Sequence, residues 1–213
     1  MTHYWPIENG QMNDQKGTSH MTQGSSTYFT TDRFGCPYSA LALNGGWTHV
    51  PSGVYFNTPE FTISVWVYPQ NVGLWSRVVD FGNVGKTDNI GFALTSVSSL
   101  QPYMEIFSGR KLVISVTSSQ ALSTNNWQFL TFTYNGINAY IYLNGTFVAN
   151  TIYKYNMPSL TRKNCYIGKS YDPTNGYSSS YIDDLRFYNK SLSQIEIGEL
   201  MNVKRTSKCK KSN

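Results

Sequence analysis

The sequence predicts an all-β fold: two antiparallel sheets packed face to face as a jelly-roll sandwich, with one short helix near the C-terminus. Three observations carry this expectation. Short runs of alternating apolar and polar residues recur along the chain, each bounded by Gly, Asn, Ser or Pro. The composition, with 16 Tyr, 11 Phe and 5 Trp in 213 residues, suits pleated, half-buried strands. The connections are too short for the crossover helices of a parallel sheet. One domain over residues 1–203 accounts for the length, followed by a basic tail or linker at 204–213.

The elements follow in order. Residues 61–67, FTISVWV, place Phe61, Ile63, Val65 and Val67 on one face and Thr62, Ser64 and Trp66 on the other, as a strand over a core does. Pro69 ends it. Short strands at 78–82, 90–94, 103–107 and 112–116 follow with the spacing of a meander. Leu130, Phe132 and Tyr134 share one side of the next strand, which closes at Asn135-Gly136. In residues 139–150, Asn144-Gly145 sits between two alternating runs and can supply the positive φ angles of a type I′ turn, so a hairpin is expected. A looser stretch at 154–180 contains a short strand at 165–168. In the final segment, YIDDLRFYNKSLSQIEIGEL (181–200), the period changes. Ser193 and Glu196 make a capping box, and Leu192 and Ile197 stand where a hydrophobic staple belongs, so a helix begins at Gln194.

Charge and cysteines narrow the function classes. The formal charge is +5, but Lys204, Arg205, Lys208, Lys210 and Lys211 all lie in the tail, leaving twelve bases against twelve acids elsewhere. A neutral folded region excludes an electrostatic nucleic-acid groove. No apolar run is long enough to span a membrane and no basic, apolar leader precedes the first strands, so the chain is read as a domain of a larger protein or assembly. Cys36, Cys165 and Cys209 match no zinc spacing, and at most one internal disulfide, Cys36–Cys165, is possible. His3, His20 and His49 have no ligand spacing either.

Seven segments, HYWPIENGQMNDQKG, RFGCPYSALALNGGWTHVP, FTISVWVYP, NNWQFLTFTYNG, IYLNGTFVA, YIGKS and YIDDLRFYNKSLSQIEIGEL, occur in the order found in one group of proteins. Through them the chain resembles the concanavalin A-like lectin/glucanase superfamily, in particular its laminin G-like and pentraxin-like branch. The last segment is the most specific, with Ile-Asp-Asp opening a strand, then an aromatic and Asn, then Leu-Ser before a capped helix. The resemblance implies a jelly roll whose rim loops or concave face hold glycans or protein ligands, often as a non-catalytic module of an extracellular protein. Other members are hydrolases or lyases, so the fold alone does not decide.

Asp183 and Asp184 are the most conspicuous acids. Adjacent strand residues point to opposite faces, so the two are expected to diverge and cannot be the carboxylate pair of a glycosidase, whose members converge about 5 to 9 Å apart. Asp183 shares its parity with Leu185 and Phe187 and is expected to point inward, where it needs a partner. The resemblance implies a structural Ca²⁺ shared between the N-terminal segment and the final strand, with Asp183 as one ligand and Asp14 and Glu8 completing the hard-oxygen site. Where the family usually has Asp-x-Ser-Gly-Asn-Gly, this chain has DQKGTS, which places Lys16 beside that cation. The alternative is scaffolding, with Asp183 at a bulge and Asp184 paired with Arg186 or a neighbouring strand.

No nucleophile elbow is present, and Glu60 and Glu105 lack partners at the spacing of a catalytic acid run, so catalysis is not expected. Aromatic rings with convergent polar groups suit sugars. Trp75, Arg77, Asn83, Tyr171, Asp172, Asn175 and Tyr177 have that composition, and Trp47 and Tyr103 can join them, whereas Trp66 and Trp127 are assigned to packing. Asn144-Gly-Thr146 and Asn189-Lys-Ser191 are glycosylation sequons. The reading is a non-enzymatic extracellular or cell-surface binding or adhesion module for a glycan or protein. A structural domain without a small ligand and a polysaccharide hydrolase or lyase are the alternatives.

Overall fold

Fifteen strands and one helix form two stacked antiparallel sheets in the computed structural model, which describes residues 1–96, 99–172, 174–204 and 209. Five short strands come first: β1 (His3–Trp5), β2 (Thr22–Ser25), β3 (Tyr28–Thr30), β4 (Ala40–Ala42) and β5 (Trp47–His49). Longer ones follow: β6 (Phe61–Pro69), β7 (Arg77–Asn83), β8 (Thr87–Ala93), β9 (Tyr103–Ser108) and β10 (Lys111–Thr117). The chain ends with β11 (Gln128–Tyr134), β12 (Asn138–Leu143), β13 (Thr146–Ile152), β14 (Asn164–Ile167), β15 (Ser180–Tyr188) and α1 (Gln194–Met201).

The eight-stranded sheet runs β13-β12-β11-β6-β15-β4-β3, with β1 also paired to β15, and the seven-stranded sheet runs β10-β9-β8-β7-β14-β5-β2. Alternation dictates the core between them. Ile63, Val65, Val67, Leu130 and Phe132 face inward from one sheet, and Val79, Phe81, Ile90, Phe92, Met104 and Ile106 from the other, all at 0% exposure. The hairpin forms at Asn144 and Gly145, both with positive φ. Ser193 and Glu196 close the capping box, and Leu192 and Ile197 bury together against Phe129 and Tyr142 on the outer face of the eight-stranded sheet.

Two expectations fail. Cys36 bonds to Cys209, not to Cys165, which is buried and free. The reason is position: Cys165 lies on β14 with its side chain in the core cluster, whereas Cys36 precedes β4, the strand that adds to the opposite sheet. Of the basic tail at 204–213, residues 205–208 and 210–213 lie outside the described residues.

The second failure concerns the aspartates. On β15, Asp183 pairs with Trp66 and Arg186 with Ser64, so three residues on one strand span two on the other. The extra residue is a β-bulge at Asp184, whose φ is 53°. Paired residues share a face, which puts Asp183 outward beside Trp66 instead of inward with Leu185 and Phe187. The simple alternation that separates neighbouring side chains is broken at this point.

Candidate functional site

The outer face of the seven-stranded sheet carries a row in register: His49, Tyr166, Asp80, Gly91, Glu105 and Ser115, one from each of β5, β14, β7, β8, β9 and β10. In its middle, Gly91 separates two carboxylates. The space a side chain would take there holds a guanidinium: a Cβ on Gly91 would stand 2.7 Å from Arg77 Nη1 and 3.1 Å from Glu105. Arg77 Nη2 donates to Glu105 Oε1 at 2.7 Å, and its Nε lies 3.6 Å from Asp80 Oδ2. Asn89 Nδ2 donates to Asp80 Oδ1 at 2.6 Å, Ser170 Oγ to Asp80 Oδ2 at 3.0 Å, and Lys86 Nζ reaches Glu105 at 3.1 Å. Arg77 and Asp80 are each 1% exposed. Burial pushes the Asp80 carboxyl up from its ordinary value, against the opposing pull of Arg77, Asn89 and Ser170.

A rim of aromatic and polar groups surrounds this network. Trp75 is half-buried, packs edge-on to Tyr103 at 5.0 Å and lies 5.8 Å from the Arg77 guanidinium. Its φ of 58° puts a bulky residue in the left-handed region, a strain held by the neighbouring backbone. That backbone is fastened: Gly176 N donates to Leu74 O, and Ser76 Oγ donates to the carbonyls of Gly73 and Tyr177. Burial, followed by the nearby Glu105, pushes the Tyr103 hydroxyl up to about 12. The 169–177 loop closes one side. Asn175 donates to Ser170 Oγ at 2.9 Å, and Asp172 caps its own turn by accepting from the N–H and hydroxyl of Thr174.

Of the residues singled out from sequence, Trp75, Arg77, Tyr103 and Asn175 are joined by this network, with Tyr171, Asp172 and Tyr177 on the same loop. Asn83 stands at the other end of β7, where its amide serves Thr161 and Lys163. Sequence reasoning missed Asp80, Asn89 and Lys86 and set Glu105 aside as solitary, although Asp80 and Glu105 are in register across one strand. The signal was present in strand alternation: Asp80 and Glu105 each stand between two core residues of a meander strand.

The paired aspartates form a second cluster, on the outer face of the eight-stranded sheet. Arg33 Nη1 donates to Asp183 and Nη2 to Asp184, each at 2.5 Å, a fork that bridges neighbouring residues. Its Cζ lies 4.3 Å from the Phe34 ring and 4.7 Å from the Trp66 ring, so the cation is held between two aromatics. Asp184 also receives Arg186 at 3.0 Å and the Tyr4 hydroxyl at 2.6 Å. Burial raises the Asp184 carboxyl, but Arg186, Arg33 and the Tyr4 hydrogen bond outweigh it and hold the group below the usual carboxylate range.

This arrangement does not fit the expected calcium. The Arg33 guanidinium takes one oxygen of each carboxylate, and Arg186 and Tyr4 take the other oxygen of Asp184. Asp14 is committed elsewhere: it accepts from the N–H groups of Tyr4 and Lys16, each at 3.0 Å, and lies 2.7 Å from His3 Nδ1. His3 stacks on Trp5 and meets Phe187, whereas the Tyr4 hydroxyl reaches Asp184, so alternation along β1 sends the two acids to opposite sides of the strand. Glu8 lies in the recess with Tyr4, Asp184 and Arg186. Among the described residues no group of three or more His, Cys, Asp or Glu side chains could hold a metal.

A family model described as the concanavalin A-like lectin/glucanases superfamily matches residues 40–198. No curated protein matches the chain in a sequence search. Among solved structures, domain 4 of AbnA, a GH43 extracellular arabinanase from Geobacillus stearothermophilus in complex with arabinotriose, is 16% identical with a TM-score of 0.77 over 94% of this chain and 98% of that one. The binding domain of Paraclostridial Mosquitocidal Protein 1 is 18% identical with a TM-score of 0.72, over 94% of this chain and 51% of that one. The botulinum neurotoxin serotype G binding domain is 17% identical with a TM-score of 0.71, over 94% and 50%. The chain thus spans about half the length of the toxin domains. At these identities the likeness establishes the fold.

Proposed function

We propose a binding function on one premise: the chain belongs to the concanavalin A-like lectin/glucanase superfamily. It is a non-enzymatic module that takes a glycan across the outer face of the seven-stranded sheet. The observation that carries this reading is Trp75, half-buried and strained at positive φ, set against Tyr103 at the edge of a buried Arg77–Asp80–Glu105 network. A ring offers a sugar its flat face, and Asp172, Asn175, Tyr171 and the exposed Tyr177 offer hydroxyl partners around it. Arg77 is a positioning residue, holding the floor beneath them. The domain of AbnA solved with arabinotriose has the same fold over almost its whole length, which makes sugars the first ligands to try.

The module works in an extracellular or cell-surface setting. The Cys36–Cys209 disulfide suits an oxidising compartment. Asn144 on its hairpin tip and Asn189 after β15 are exposed, as glycosylation sites must be.

A hydrolase reading has one observation in its favour. Asp80 and Glu105 sit two strand spacings apart, about 9.6 Å, near the wide end of inverting glycosidase geometry, and burial raises Asp80. Against it, Arg77 occupies the space between them. An oligosaccharide panel assayed both for binding and for reducing-end release separates the two. Binding without release, lost in Trp75→Ala, is the expected result. Release abolished by Asp80→Asn and by Glu105→Gln would replace the proposal with the enzyme.

A further inference from the structure

We infer that the ligand of this face is an acidic glycan, and that Lys169 receives its carboxylate or sulfate group. The inference rests on the glycan reading of the same sheet face. One strand from Asp80 along the row comes Tyr166, and two strands away come Trp47 and His49, which together form a contiguous aromatic platform: Trp47 meets His49 edge-on at 4.5 Å and Tyr166 edge-on at 5.5 Å, and the tilted His49 and Tyr166 rings lie 4.9 Å apart. The platform is built by close backbone approach. A Cβ on Gly24 of β2 would fall 2.5 Å from the Trp47 ring, so only glycine leaves room for the indole there. Lys169 Nζ stands 4.3 Å from the centre of the Trp47 ring and 4.8 Å from that of Tyr166.

Two rings fix that ammonium and strip water from one side of it, while its three N–H donors still need acceptors. Among the described residues no carboxylate pairs with it, in contrast to Lys86, which is spent on Glu105. The side chain is only partly buried, so an acceptor can arrive from solvent. Gly168, at φ 86°, turns the chain so that Lys169 lies over the platform while the next residue, Ser170, bonds Asp80. One loop therefore links the cationic platform to the Arg77 network. From β5 to β9 the face extends four strand spacings, about 19 Å, which suits an extended oligosaccharide lying across the strands with its charged sugar at the β5 end.

The test is calorimetric titration of the whole chain with arabinotriose, tetragalacturonate and a heparin-derived tetrasaccharide, repeated on Lys169→Met and Trp75→Ala. The expected result is that at least one acidic probe binds tenfold or more tighter than the neutral one. Lys169→Met should reduce that preference to less than twofold, while Trp75→Ala weakens every bound probe. The basic tail is unchanged in both variants and cannot produce the difference. Preference for tetragalacturonate over the heparin fragment would assign the acceptor as a carboxylate, and the reverse as a sulfate. Equal affinity for acidic and neutral probes, or a preference that survives Lys169→Met, would overturn the inference and leave the glycan reading standing. No binding to any probe by the wild-type chain would overturn both.

Discussion

Each sheet of this sandwich places one arginine between two carboxylates on its outer face, and the two triads have opposite characters. On the eight-stranded sheet, Arg33 clamps Asp183 and Asp184, sequence neighbours on a bulge, and two aromatic rings close over the cation. On the seven-stranded sheet, Arg77 lies between Asp80 and Glu105, which come from β7 and β9 with a glycine between them, and the aromatic residue beside it is strained and partly exposed. The first triad joins two neighbouring carboxylates to one arginine and is sealed by aromatic rings. The second spans three strands and borders a rim of loop residues. Similar charge content thus gives scaffolding where two rings cover the cation and a candidate site where the network borders a partly exposed aromatic rim.

The strongest way to break this contrast is to remove Arg33. Arg33→Met leaves two buried carboxylates without their shared cation and is expected to cost about 3–5 kcal/mol, read from urea unfolding. In the wild-type chain, millimolar Ca²⁺ should leave the melting temperature unchanged because a guanidinium already neutralises both carboxylates. A rise would show that a cation site exists after all.

Acid should separate the faces next. Asp184 sits below the ordinary carboxylate range, so its contribution is complete above about pH 4 and is lost as pH falls through its lower folded value. Asp80 is raised, so its contribution is present below about pH 4 and is lost as pH rises through its higher folded value. In profiles of melting temperature against pH, Asp184→Asn should flatten the acid limb and Asp80→Asn the limb toward neutrality. The same effect from both variants would remove the distinction.

Trp75→Gly sharpens the comparison by splitting stability from binding. It loses a ring contact worth about 0.5–1.5 kcal/mol and relieves left-handed strain of about 1–2 kcal/mol, opposing effects that leave a net change in unfolding of no more than about 1.5 kcal/mol. Ligand affinity should nevertheless fall at least tenfold, about 1.4 kcal/mol.

The fold was legible because its signals are local. Alternation in FTISVWV, the Asn144-Gly145 turn and the Ser193–Glu196 box each act over a few residues, and the structure contains all three. The first five strands, three or four residues each, are too short to show a period, and three of them, β1, β4 and β5, pair with β15 or β14, partners more than a hundred residues away. The aspartates defeated parity because one inserted residue reverses it, and the bulge with the Asp184–Arg186 pair was legible only as the scaffolding alternative. Arg33 was invisible for a related reason: it lies 150 residues from Asp183 in a loop with no periodic pattern. At the candidate site Trp75, Arg77 and the 170–177 loop were read from composition, whereas their meeting with Asp80 and Glu105 depended on register between strands.

The most direct test is amide chemical-shift mapping by nuclear magnetic resonance during titration with the tightest-binding oligosaccharide. Shifts clustered at residues 75–80, 103–105 and 166–177 would place the ligand on the seven-stranded sheet, as this account requires. Shifts centred on Arg33, Asp183 and Asp184, with the seven-stranded face silent, would contradict it.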